Sequence, residues 1–285
     1  EGGRSLYWLR AWALLQDWDG QAHKGEMEMR KNLLVALALS VVLALGVAAV
    51  ATAKFETFRA GNLTLKVDAG VKPKALPKNK LAPITLFVKA QSSTSDGTHP
   101  PAFRETTIDF DKNGAINAKG VPTCKRGQLE ARDTAAAKKV CGSATVGSGK
   151  SKIEIAFPEQ RPITVNSPIT VFNGGTKGGK TTLFIHTFIT VPVPAAVVTT
   201  VTVKKIHKGR YGLRAVAKIP VIAGGSGSVI GFEINFGRKS YFSAKCPDGH
   251  FNANVKSAIF IDEAGGPRTK TTLKGTVVRS CTPKG

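Results

Sequence analysis

"VFNGGTKGGKTTLFIHTFITV", residues 171–191, reads in two ways, and the choice between them decides the fold. Gly174 to Thr181 spells G-x-x-x-x-G-K-T, the pattern of a phosphate loop. In such a loop, backbone amides at the start of a helix wrap the phosphates and the lysine reaches their terminal groups. A helix after Lys180 would make this an α/β protein. Thr181 to Ile189 is instead β-branched and aromatic, which suits a strand. The glycines and lysines then form a flexible basic turn between two strands, and Lys180 is not a phosphate ligand. The similar "GSGKS" at 147–151 does not complete the pattern, because Ala144 stands where the first glycine belongs.

Strand signals recur on both sides of this stretch. Leu63, Leu65 and Val67 alternate with Thr64, Lys66 and Asp68, and Ile84, Leu86 and Val88 repeat the period. After Ala144 come "KIEIAF", "PITVF", "VVTTVTV", "LRAVAKI", "SVIGFEINF", "SYFSAK", "AIFID" and "TTLKGTVV", separated by Gly and Pro breaks. Many short strands with frequent turns predict an all-β fold, an antiparallel sandwich or barrel, and the expectation taken forward is a β-sandwich, jelly-roll-like or related, over 54–285 as one domain. Residues 54–61 read as a ragged lead, and 70–82, "GVKPKALPKNKLA", as a connection. "TIDFDKNGAINAKG", 107–120, predicts a hairpin in which Gly114 is left-handed, Phe110 faces Ile116 and Ile108 faces Ala118. One short helix is expected between Cys124 and Cys141, at about Gly127 to Lys139, where helix formers concentrate.

The first fifty-three residues read differently. Leu33 to Val50 is apolar except for Ser40 and Gly46, with Met29-Arg30-Lys31-Asn32 before it and Ala51-Thr52-Ala53 after it. A basic flank, an apolar run and an A-x-A triplet predict an export signal over 29–53, cleaved after Ala53. About 18 apolar residues can also span a bilayer, but the triplet and Gly46 favour cleavage. Residues 1–28 begin on Glu1 and hold Trp8, Trp12 and Trp18, the three tryptophans of the sequence. They read as untranslated leader, with the start at Met27 or Met29.

Residues 1–53 contain five bases and five acids, so the formal charge of +22 belongs entirely to residues 54–285. A domain this basic either meets something anionic or uses the charge for solubility. The densest runs supply the candidate contacts: Lys72, Lys74, Lys78 and Lys80, then Lys204, Lys205, Lys208 and Arg210. Cys124, Cys141, Cys246 and Cys281 in an exported chain imply two disulfides with three possible connectivities, and nearness in sequence favours Cys124 with Cys141 and Cys246 with Cys281. A zinc site is disfavoured by the absence of C-x-x-C spacing.

"PTCKRGQLEA…VCGSATVGSGK", "FPEQ…VFNGG" and "VVRSC" resemble a group of exported bacterial proteins that carry a signal peptide, paired cysteines and an expected β-sandwich. The resemblance spans about Asn62 to Lys284. It implies export and fold and lends no activity.

Motifs of chemistry are sparse. Asp109-Phe-Asp111-Lys-Asn113-Gly114 imitates a calcium loop, but position twelve is Gly120 where a bidentate Glu should close the shell. His186, His207 and His250 do not cluster. Glycoside hydrolysis needs two opposed carboxylates, and Glu154 and Glu233 are the pair to examine. The expected protein is therefore secreted or cell-surface, structural or adhesive at the envelope, without catalytic residues, cofactor, metal or specific small molecule. Its expected partners are anionic envelope polymers or a lipid surface. The alternatives are a secreted carbohydrate-active or other hydrolytic enzyme, and a binder of anionic polymers including nucleic acid. Nucleic acid is disfavoured because few stacking aromatics interleave with the bases.

Overall fold

The computed structural model describes residues 55–261 and 269–285. The expected leader, the expected export signal over 29–53 and its expected cleavage site lie outside the described residues. Contacts divide the chain after Ala53, and the sheet, its cores and both disulfides lie within Lys54–Gly285. That segment is one compact unit.

Its strands run, in order, β1 (Glu56–Ala60), β2 (Leu63–Lys72), β3 (Ala75–Pro77), β4 (Ala82–Thr94), β5 (Phe103–Asp111) and β6 (Gly114–Ile116). The one α-helix among the described residues, α1 (Thr134–Cys141), comes next. Then follow β7 (Thr145–Ile155), β8 (Ile163–Lys177), β9 (Lys180–Ile189), β10 (Ala195–Lys208) and β11 (Tyr211–Lys218). The last are β12 (Gly227–Phe236), β13 (Phe242–Ala244), β14 (His250–Ile261), β15 (Thr269–Ser280) and β16 (Thr282–Lys284).

The deciding stretch is a hairpin. Strands β8 and β9 pair antiparallel up to Lys177 opposite Lys180. Gly178 and Gly179 make the turn with φ of 57° and 71°. Two successive left-handed residues suit the right-handed twist of the flanking strands, and glycine takes that conformation without steric cost.

Pairing continues through one fourteen-stranded sheet in the order β1-β2-β4-β12-β7-β8-β9-β10-β11-β5-β14-β15, with β13 joining β4 to β6. From β7 to β11 each strand pairs with its successor, a meander rather than the crossed connections of a jelly roll. Of the two architectures that many short strands fit, a sandwich would need two facing sheets. The ladder instead curls as a single sheet until its two edges approach, a nearly closed barrel.

The seam between those edges is tightly built. Arg279 on β15 reaches Glu56 on β1 at 3.0 Å and Asp68 on β2 at 3.0 Å. Beside it Phe58 of β1 lies so close to Gly275 of β15 that a Cβ there would run into the ring. Leu63, Leu65, Val67, Val255, Leu273 and Val277 form the core beneath the seam. Each such side chain, once buried, contributes about 1.5–3 kcal/mol.

Several sequence expectations change. The ragged lead is in part a strand, since β1 pairs along β2 from Glu56 opposite Val67 to Ala60 opposite Leu63. The 70–82 connection holds β3, which pairs in parallel with β16. The hairpin at 107–120 does not form. Both edges of β5 are taken, by β11 and β14, so β6 pairs with β13 instead and Gly114 keeps a negative φ. The helix starts late, because Asp133 caps it by accepting from the Ala136 amide at 2.7 Å. Ahead of it, Arg126–Gln128 is a 3-10 turn and Ala131 takes a left-handed φ of 57°. Cys124 is bonded to Cys141 and Cys246 to Cys281, closing separations of 17 and 35 residues.

Gly275→Ala should destabilise Lys54–Gly285 by about 1–3 kcal/mol, the usual cost of overpacking. The loss should shrink in a Phe58→Ala background, because the clash is with that ring. Equal losses in both backgrounds, measured by denaturant unfolding, would refute the seam contact.

Candidate functional site

Inward residues on neighbouring strands are unusually small. On β11 the inward series is Leu213, Ala215, Ala217, and on β14 it is Ala253, Val255, Ser257. Between them β5 aligns Ile108 with Ala215 and Phe110 with Ala253. Short side chains here leave the barrel incompletely filled, and a cavity of about 370 Å³ runs through it. Its wall is largely aliphatic and aromatic, with Leu86, Val88, Leu183, Ile185, Val201 and Phe232 among the contributors.

Four of the hydroxyls in the wall pair with one another, and Ser92 donates to the Val229 carbonyl at 3.3 Å. Thr106 Oγ1 and Ser257 Oγ lie 3.1 Å apart, as do Ser151 Oγ and Thr187 Oγ1. Thr187 also donates to the Pro168 carbonyl at 3.0 Å. Of the charged residues, only Asp111 and Arg279 touch the cavity, and both are engaged by the chain. The buried Asn252 Nδ2, at the edge, has no partner. The cavity is lined by no histidine, cysteine, glutamate or lysine, so no base stands beside Ser151 to activate it. Such a space can exclude water and grip an apolar molecule.

The residues singled out by sequence lie elsewhere. Lys177 and Lys180 flank the Gly178-Gly179 turn, and the phosphate-loop reading fails because a strand comes next. Asp109, 3% exposed, takes two hydrogen bonds from Arg214, at 2.6 and 2.8 Å. Those bonds hold its carboxyl below the usual carboxylate range, against the opposing effect of burial. Asp111 accepts from the amides of Asn113 and Asn252. Both carboxylates of the calcium-like motif thus fasten strands. Among the described residues no three His, Cys, Asp or Glu gather as metal ligands would.

Glu154 pairs with His99 at 2.8 Å, while Glu233 sits near Lys150 and Lys89 at 3.8 and 4.0 Å. In the β7–β12 ladder Glu154 faces Ser228 and Glu233 faces Lys150, so the two carboxylates do not converge.

Lys72, Lys74, Lys78, Lys80, Lys204, Lys205, Lys208 and Arg210 are all exposed. Antiparallel register puts the end of β2, the β8–β9 turn and the β10–β11 turn at one end of the barrel. There Lys177 faces Lys180 and Lys180 faces Lys204 across adjacent strands. Arg210 donates to His250 at 3.1 Å.

His186 points outward from β9 but is fully buried beneath the segment that holds α1. Its Nε2–H donates to the Arg132 carbonyl at 2.9 Å, and Nδ1 has no partner. Burial pushes its pKa below the ordinary imidazole value, against weaker upward pulls from the Arg132 carbonyl and Asp133.

No family model matches the chain, and neither a curated protein nor a solved structure is similar to it. Among the described residues no helix is long and apolar enough to cross a membrane. The cavity-forming alanines lay beyond sequence reading, although "LRAVAKI" already shows Ala215 and Ala217 on the same face as Leu213 and Ile219. What the sequence lacks is that β11, β5 and β14 are neighbours.

The folded state keeps His186 neutral, whereas the unfolded chain binds a proton below about pH 6.5. Stability from this group is therefore present above that pH and is lost as pH falls toward the depressed native value. The melting temperature should drop between about pH 7 and pH 5, and His186→Gln should flatten that part of the slope. An unchanged slope in the variant would contradict the assignment.

Proposed function

We propose that the segment after Ala53 is an exported, non-catalytic binding protein that holds an apolar small molecule inside its barrel. The single supporting observation is the 370 Å³ cavity. Wall atoms that face such a space lack close-packed neighbours, and an occupant restores those dispersion contacts. The volume is more than twice the ~150 Å³ known to admit benzene and falls in the range of ligand sites. With so few free polar groups in the wall, the ligand is a hydrocarbon-rich molecule bearing at most one small polar terminus.

This reading departs from the expectation of no small-molecule ligand, which rested on motifs and not on volume. The hydrolase alternative gains nothing from Glu154 and Glu233, which face different partners. Export is supported by the Leu33–Val50 run with its A-x-A triplet, and by two disulfides, which persist in oxidising compartments. In architecture we favour a barrel flattened toward a sandwich, its two faces held apart by what lies between them.

A structural or adhesive role at the envelope is the second reading. It is favoured by the lysine runs meeting at one end of the barrel, where like charges face one another and an anionic polymer would relieve them.

Lys54–Gly285 should bind the fluorescent probe N-phenyl-1-naphthylamine, and organic extraction of freshly purified protein should release an apolar compound detectable by mass spectrometry. Ala217→Phe puts a ring into the cavity and should weaken probe binding by about tenfold or more while keeping or raising the melting temperature. Ala215→Leu is the milder control. Full probe binding in both variants, with both folded, would exclude the cavity as the site.

A further inference from the structure

The end of the barrel away from the lysines has a different surface. Among the described residues six large apolar side chains are exposed, and three of them, Val191, Val193 and Val221, lie here at 44%, 68% and 59% exposure. They stand on two loops, β9–β10 and β11–β12, which adjoin across a small cleft lined by Ala195, Ala196, Pro220 and Val221. From Thr181 to Val203, and again from Ile219 to Phe232, no Asp, Glu, Lys or Arg occurs. In a chain of net charge +22 such a neutral, apolar tip calls for an explanation.

We propose that this tip docks the protein onto a phospholipid bilayer containing anionic lipid. Three observations select that partner. First, Pro192 and Pro194 have no backbone N–H, so the tip enters an apolar interface with fewer donors left unsatisfied. Second, Lys218 is exposed where β11 ends and Arg104 donates to the Pro220 carbonyl at 3.3 Å, while Arg126, which lines the cleft, is paired with Glu130 at 2.6 Å. Lys218 beneath the tip, on a domain whose formal charge is +22, favours anionic headgroups at that depth. Third, the apolar interior continues under the tip. Ile189, Val197 and Ile222 form its buried base, and Val197 also lines the large cavity. The docking surface stands independently of the cavity's ligand.

Lys54–Gly285 contains no tryptophan, so a single one introduced into it is an unambiguous reporter. Two pairs of variants are compared on vesicles of phosphatidylcholine with one-fifth phosphatidylglycerol and on phosphatidylcholine alone. V193W should shift its emission to shorter wavelength on the anionic vesicles, whereas V278W, at an exposed valine of β15, should not. In flotation, the V193D/V221D double variant should bind about tenfold more weakly than the parent. V278D should float like the parent, and so should A217F, which separates this proposal from the cavity reading. Absence of parent binding, equal loss in V278D, or undiminished binding of V193D/V221D would each overturn it. So would a tip-dependent dimer in sedimentation without vesicle binding, which would make the tip a protein interface.

Discussion

The whole architecture depends on what happens at the edges of one long sheet. An open edge exposes a row of unpaired amides and carbonyls and invites pairing with other chains. Here the edges are drawn together by Arg279, whose guanidinium bridges Glu56 on one strand and Asp68 on the next. The side chains of Arg279 and Asp68 are only 18% and 11% exposed, so the bonds act where water competes weakly. Removing the arginine would leave two carboxylates half-buried opposite a core that cannot solvate them. Gly275 lets the Phe58 ring close the remaining gap. Closure then encloses an interior, and the size of its residues becomes a functional variable.

That interior is filled unevenly. Large residues such as Val171, Ile234, Phe236 and Tyr241 cluster toward the lysine-rich end, and Ile153, Ile155, Val165 and Ile222 toward the other. Between them Ala215, Ala217 and Ala253 stand where leucines would fill the space. The two ends differ outside as well, one bearing facing lysines and the other bearing valines and prolines. A barrel with unlike ends has a direction, which a featureless structural module does not need.

Local features were legible in the sequence. The turn at Gly178-Gly179 was readable because the glycines and the β-branched run after them are contiguous, so no distant partner alters the outcome. The disulfides likewise join nearest cysteines. The hairpin at Asn113-Gly114 misled for the opposite reason: its partner strands are set by β11 and β14, far along the chain. The Asp111 side chain, bonding the Asn113 amide, holds a turn that leads away instead of back. The helix was displaced although its cap was visible, since Asp133 followed three residues later by Ala136 is an ordinary start signal. The cavity was the least legible feature. An alanine in a strand looks alike whether its neighbours are large or small, and only the strand order says which.

The reach of the stabilising contacts governs when the fold can exist. Arg279 meets Asp68 across 211 residues, Asp111 meets Asn252 across 141, and Arg214 meets Asp109 across 105. Strand β3 pairs with no strand among the described residues until Thr282–Lys284 are available. Long loops must close before these contacts give any return, so assembly is slow and waits for distant segments. The meander from β7 to β11 pairs between successive strands, but the closed barrel waits for its last strands. Cysteine pairing then shortens the loops still open. Nonlocal closure thus makes completion of the barrel the last event along the chain, however early its middle strands have paired.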